Sequence, residues 1–129
     1  MILAIDPGRE KCGLAVLDRS AQVLEKKVFP RLELSFEVMA YVAKYRLDTI
    51  VVGSGTGAKS VQKDLSRMEL RCNIIFTPER FSTLEARRRY WKENPPQGLW
   101  RFVSTSLLSP PGPIDDYAAV VLGERYLKG

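Results

Sequence analysis

Ile2-Leu3-Ala4-Ile5-Asp6-Pro7-Gly8 is a continuous apolar run that ends in an acid and a turn. Such a run, with no polar residue between Ile2 and Ile5, is expected of a strand buried on both faces. Cys12 to Leu17 follows as a second strand, Asp18 to Gln22 as a turn, and Val23 to Phe29 as a third strand. These short connections read as an antiparallel meander. Helical spacing then takes over, with Val38, Met39, Val42 and Tyr45 along one stripe. Thr49 to Val52 is a fourth strand, Lys59 to Met68 a helix, and Cys72 to Phe76 a fifth strand. Three antiparallel strands followed by alternating helices and strands predict an α/β fold, a mixed sheet of about five strands covered by helices.

The remainder of the chain is helical punctuation. Ser82-Thr83-Leu84-Glu85 is a capping box, whose hydroxyl serves an exposed helix N–H while the glutamate reaches back. It predicts a helix to about Asn94, stopped by Pro95-Pro96. A connection containing Pro110, Pro111 and Pro113 leads to a last helix from about Asp115 to Leu127. The 129 residues fit one domain, 1–129, with no internal repeat or linker.

Composition narrows the chemistry. Hydrophobic residues at 45% and charged residues at 27% describe an ordinary globular chain. No apolar run approaches the roughly 20 residues of a membrane span. The first residues lack the basic segment of a secretory signal. Cys12 and Cys72 have no metal-ligand spacing, which suits a reducing cytoplasm. The absence of histidine excludes histidine-dependent triads and most zinc sites. Any metal must be a hard cation held by oxygen, Mg2+ or Mn2+.

The net charge of +5 is uneven. Six basic residues (Arg80, Arg87, Arg88, Arg89, Lys92, Arg101) stand against Glu85 and Glu93, so residues 80–101 carry +4 of it. A patch of this kind suits a polyanion, nucleic acid before membrane because no amphipathic anchor is present. Arg88 and Lys92, four residues apart, share a helix face.

Three acidic positions stand where a fold of this kind gathers them: Asp6 at the end of the first strand, Glu79 just past the fifth, and Asp115 or Asp116 at the start of the last helix. An acid directly after a buried apolar strand is poorly explained by stability, because desolvating it costs energy. Singly, each has a plain structural explanation as a turn former, strand-end acid or helix cap. The set raises the functional reading.

Ala4-Ile5-Asp6-Pro7-Gly8 with Cys12-Gly13-Leu14-Ala15-Val16 resembles the opening of the YqgF (RuvX) family of RuvC-like nucleases. Glu79-Arg80-Phe81-Ser82-Thr83-Leu84-Glu85-Ala86-Arg87 is similar to that family's Asp-Glu-Arg-Leu-Ser/Thr-Thr-x-Glu-Ala segment. Ile114-Asp115-Asp116-Tyr117-Ala118-Ala119-Val120-Val121-Leu122 resembles its final acidic helix. The matches occur in family order across nearly the whole chain. The resemblance implies a ribonuclease H-like fold and a divalent-metal-dependent nuclease acting on structured nucleic acid. RNA is favoured, through maturation of precursor 16S ribosomal RNA, and Holliday-junction DNA is the alternative. It makes Asp6, Glu79 and Asp115 the catalytic metal ligands, with Asp116 an auxiliary. Periodicity does not choose between Asp115 and Asp116, since both lead onto apolar stripes; Asp115 occupies the family's position. Arg9, Lys11, Lys59, Arg80, Arg88 and Lys92 are the candidate phosphate contacts. The chain departs from the family at Pro78, where an acid is usual, and in Gly53-Ser54-Gly55-Thr56-Gly57, where Gly-Leu-Pro is usual.

Two other readings fit less well. Gly53 to Ser60 nearly matches a phosphate-binding P-loop, but Ala58 stands where glycine is required and a meander precedes it. A tight turn with a helix start accounts for it better, so no nucleotide cofactor is expected. Actin-like ATPases also open on Asp-x-Gly, yet need two such domains, which 129 residues do not supply. A module that binds nucleic acid without cutting it is the non-enzyme alternative. The expected assembly is a monomer or a weak homodimer.

Overall fold

The computed structural model describes residues 1–55, 57–77, 90, 92–94 and 115–128, and for Asp115 the backbone. Five strands form one sheet: β1 (Ile2–Asp6), β2 (Lys11–Leu17), β3 (Val23–Pro30), β4 (Thr49–Val52) and β5 (Asn73–Phe76), in the order β3-β2-β1-β4-β5. The first three are antiparallel, and β4 and β5 run parallel to β1. The mixed sheet expected from the meander is present, with β1 at its centre.

Strand alternation sorts the apolar residues onto two faces. Leu3, Ile5, Leu14, Val16, Ile50 and Val52 are buried against helix α1 (Leu34–Lys44), which follows a short 3-10 turn (Arg31–Glu33), and helix α2 (Ala58–Arg67). Ile2, Ala4, Ala15, Leu17 and Val51 face the other way, onto Ala119, Val120 and Leu122 of helix α3 (Asp115–Lys128). Burial on both sides explains why β1 reads as an unbroken apolar run.

The expected stripe on α1 is corrected in one respect. Leu34, Val38 and Tyr41 are buried and Val42 and Tyr45 pack at the margin, but Met39 is 53% exposed. Apolar residues surround this helix, so their spacing alone does not choose the inward face. The predicted capping box, the stops at Pro95-Pro96 and the proline-rich connection lie outside the described residues. Tyr90, Lys92 and Glu93 are helical, in keeping with the helix expected there.

β3 is an edge strand tied to α1 by charge. The Tyr41 and Tyr45 hydroxyls donate to Glu25 at 2.9 and 2.6 Å, and the Lys44 ammonium pairs with the same carboxylate. The hydrogen bond from Lys44, then that from Tyr45, holds Glu25 down at a pKa of about 2. Glu25→Gln should therefore lower stability at neutral pH by about 1–2 kcal/mol. A carboxylate with a depressed pKa stabilises the fold above its unfolded value and loses that contribution as pH falls through the folded one. The gap in urea midpoint between variant and native chain should thus be full above about pH 4.5 and close toward about pH 2. An equal gap at both pH values would remove Glu25 from this role.

Candidate active site

Asp6 ends β1, half-buried, opposite Gly13 of β2. By alternation with Ile2 and Ala4 its carboxylate belongs to the face that α3 covers. Asp115 is the first residue of that helix. The central strand and the last helix therefore bring two of the three expected ligands to one side of the sheet. Glu79 lies outside the described residues, as do Arg80, Arg88 and the departure at Pro78. Among the described residues no group of three potential ligands gathers.

Asp115 and Asp116 are set apart by their neighbours. One oxygen of Asp116 lies 3.5 Å from the Lys26 ammonium on β3, and the other accepts the Tyr117 N–H at 2.9 Å. Lys26 also sits 4.5 Å above the Tyr117 ring. Burial opposes the charge on Lys26, but Asp116 and Tyr117 outweigh it and raise its pKa. Asp116 thus fastens the first turn of α3 to β3. Tyr90 packs edge-on against Tyr117 with ring centroids 5.5 Å apart, and Asn94 donates to the Tyr117 hydroxyl at 3.1 Å. The segment that carries exposed Lys92 is therefore docked on the start of α3.

The glycine-rich loop between β4 and α2 lies against the turn that follows Asp6. The Gly53 N–H donates to the Ile5 carbonyl at 3.0 Å. A Cβ on Gly57 would stand 2.6 Å from the Gly8 carbonyl oxygen, and one on Gly8 would stand 2.1 Å from that of Lys11. Neither position has room for a side chain, because backbone occupies the space. This contact sets exposed Lys59, in the first turn of α2, at the same end of the sheet as exposed Arg9 and Lys11.

A connection across that end escapes sequence reading. The Arg31 N–H donates to the Glu10 carbonyl at 2.8 Å, while its guanidinium donates to Ser60 at 2.6 Å and pairs with Asp64 at 2.7 Å. Arg31 so joins the β1–β2 turn to the start of α2. Its partners lie 29 and 33 residues away, and no local pattern announces them.

The same bonds account for the loop without a nucleotide. The Gly53 and Ala58 N–H groups are spent on the Ile5 and Gly55 carbonyls, whereas a P-loop turns its N–H groups to phosphate. The Ser60 hydroxyl, which a P-loop would offer to magnesium, receives Arg31. Calorimetry with ATP and magnesium should show no binding at micromolar concentration; tight binding lost in Lys59→Ala would reverse this reading.

No protein-family model and no curated protein sequence matches the chain. Among solved structures, Thermus thermophilus RuvC in complex with Holliday junction substrate aligns at a TM-score of 0.51 and 14% identity, over 98% of this chain and 94% of that one. A second T. thermophilus RuvC structure aligns at 0.45 and 13%, over 99% and 96%. The chain has a ribonuclease H-like fold. The likeness is one of fold, carried in this chain by a five-stranded mixed sheet with helices on both faces.

Proposed function

We propose that the chain is a divalent-metal-dependent nuclease that hydrolyses phosphodiester bonds in structured nucleic acid. The observation that carries this reading is Asp6, a half-buried carboxylate at the end of the central strand, on the side where α3 begins with Asp115. Likeness to the fold of RuvC supports it. Asp6, Glu79 and Asp115 form the ligand set, and Asp116, held by Lys26, is an auxiliary at most. The donor set is carboxylate oxygen throughout, in a chain without histidine, which fits Mg2+ or Mn2+. Bound there, such an ion supplies Lewis acidity toward the phosphodiester and its attacking water. The protein's part is to hold the carboxylates and to orient the backbone through Arg9, Lys11 and Lys59, with Arg80, Arg88 and Lys92 extending the grip.

The resemblance to the YqgF family favours RNA, and precursor 16S ribosomal RNA in particular. A Holliday junction is the second substrate reading, favoured by the RuvC complex, whose protein binds one. Cys12 and Cys72 are not joined in a disulfide, which fits a reducing cytoplasm. Among the described residues no helix is long and apolar enough to cross a membrane.

The test offers the purified protein precursor ribosomal RNA, single strands, duplexes and four-way junctions, each with magnesium or manganese. Cleavage of the ribosomal precursor is the expected result. Preferential cleavage of the junction would support the second reading. Binding with no cleavage under any condition would make the chain a binding module.

Lys92 offers a separate check on the grip. In an Asp6→Asn background, which prevents substrate loss, Lys92→Ala should weaken binding across sequences. It should also reduce the slope of log affinity against log salt by about one unit or somewhat less. Unchanged affinity and slope would leave Lys92 a plain solvated charge.

A further inference from the structure

Helix α1, Leu34-Ser35-Phe36-Glu37-Val38-Met39-Ala40-Tyr41-Val42-Ala43-Lys44, is apolar nearly all the way round. One side is covered by the sheet through Leu34, Val38 and Tyr41. On the opposite side, Leu32 in the preceding 3-10 turn is 98% exposed, Phe36 73% and Met39 53%. Ala43 is exposed on the same line, and Ala40 beside it. Positions 32, 36, 39 and 43 recur at helical spacing, so they form one continuous stripe. A helix that is apolar all round is ordinarily covered on both sides, and a contiguous exposed patch marks an interaction surface. Helix α2 differs, with Lys59, Gln62, Lys63, Ser66 and Arg67 turned outward.

Four of the charges beside the stripe are paired with one another. Lys44 is bound to Glu25, and Lys27 to Glu37 at 2.5 Å, along a shallow groove of about 250 Å³ that Phe36 and Ala40 border. In a chain of net charge +5 this face is locally neutral, and a polyanion gains no hold there. A second copy of the chain, also positive overall, meets little repulsion at it. The stripe is also graded in size, with Leu32 and Phe36 at its start and Ala40 and Ala43 at its end.

We propose that α1 is a self-association surface, on which two copies pair antiparallel about a two-fold axis near the middle of the helix. Antiparallel pairing sets Leu32 of one copy over Ala43 of the other, and Phe36 beside Met39, so bulky residues meet small or flexible ones. It also brings exposed Glu33 toward exposed Arg46, just past the end of the second helix, which places opposite charges together. The surface is self-complementary, as a two-fold interface must be. Three large apolar side chains from each copy belong at the low end of specific interfaces, below about 1,200 Å². The dimer is accordingly weak, with Kd in the range of roughly tens of micromolar.

Sedimentation equilibrium of the full chain, from about 5 to 500 µM, tests this. The native chain should rise from monomer to dimer mass across the range. Phe36→Glu and Leu32→Glu should each weaken association by at least about thirtyfold. Leu24→Glu, also on an exposed apolar residue but on β3, should leave it unchanged. Circular dichroism establishes that the variants are folded, which surface positions favour. A native chain that stays monomeric throughout, or a dimer that survives both α1 variants, overturns the proposal.

Discussion

Asp6→Asn should reduce cleavage by about a thousandfold or more, some 4 kcal/mol of transition-state stabilisation, while the chain stays folded. The amide keeps the shape of the carboxylate but not its charge, so it is a poor ligand for a hard cation. The thermal midpoint should change little, because in the proposed carboxylate set the loss of one charge removes repulsion rather than packing. Magnesium gives a second readout. The native chain should be stabilised by the ion in proportion to its occupancy, and that increment should vanish in Asp6→Asn. Asp115→Asn should behave in the same way. Asp116→Asn should not: it breaks the link to Lys26, costs stability of about 1 kcal/mol, and retains most activity. Full activity in Asp6→Asn at ordinary magnesium would sink the assignment, and the reverse pattern at 115 and 116 would exchange their roles.

Gly57→Ala should destabilise the protein by roughly 2–3 kcal/mol, far more than an alanine at a helix start ordinarily costs. The added carbon would lie 2.6 Å from the Gly8 carbonyl oxygen, and backbone on both sides must separate to admit it. That separation strains the turn that follows Asp6 and moves Lys59 from Arg9 and Lys11. Urea unfolding should show a lower midpoint with an unchanged slope, and cleavage should fall even where the variant is fully folded. Gly8→Ala, at 2.1 Å from the Lys11 carbonyl oxygen, should be at least as severe. A Gly57→Ala chain with native stability would mean that the loop and the turn separate easily, and that their contact does not hold the site.

Much of the fold is legible because strands announce themselves locally. Apolar runs bounded by Pro7-Gly8 and the Asp18–Gln22 turn bring β1 to β3 within a residue or so of their observed limits, and β4 is as expected. Helix α1 is less legible. Its outward residues Phe36 and Met39 are as apolar as its inward ones, so periodicity loses its contrast. The site follows the same division. Asp6 stands out because an acid at the end of a buried strand is costly without a purpose. The glycine-rich loop reads correctly as a turn and helix start, yet the reason for Gly57 is a contact with Gly8 in the distant turn between β1 and β2. The work of Arg31 and Lys26 is equally nonlocal, since each joins segments that no spacing rule connects.

The covering of Ile2, Ala4 and Leu17 by Ala119, Val120 and Leu122 has a consequence for how the molecule is made. A ribosome completes β1 more than a hundred residues before α3, so a nascent chain holds a sheet with one oily face uncovered. The helices that shield the opposite face are local and close early. The α3 face waits for contacts of high sequence separation, which form late and slowly. During that interval the exposed strands are open to association with other chains. The start of α3 reaches the Asp6 side of the sheet at that same last step, so on the proposed assignment competence for cleavage would arrive together with protection from aggregation, and neither would precede the docking of α3.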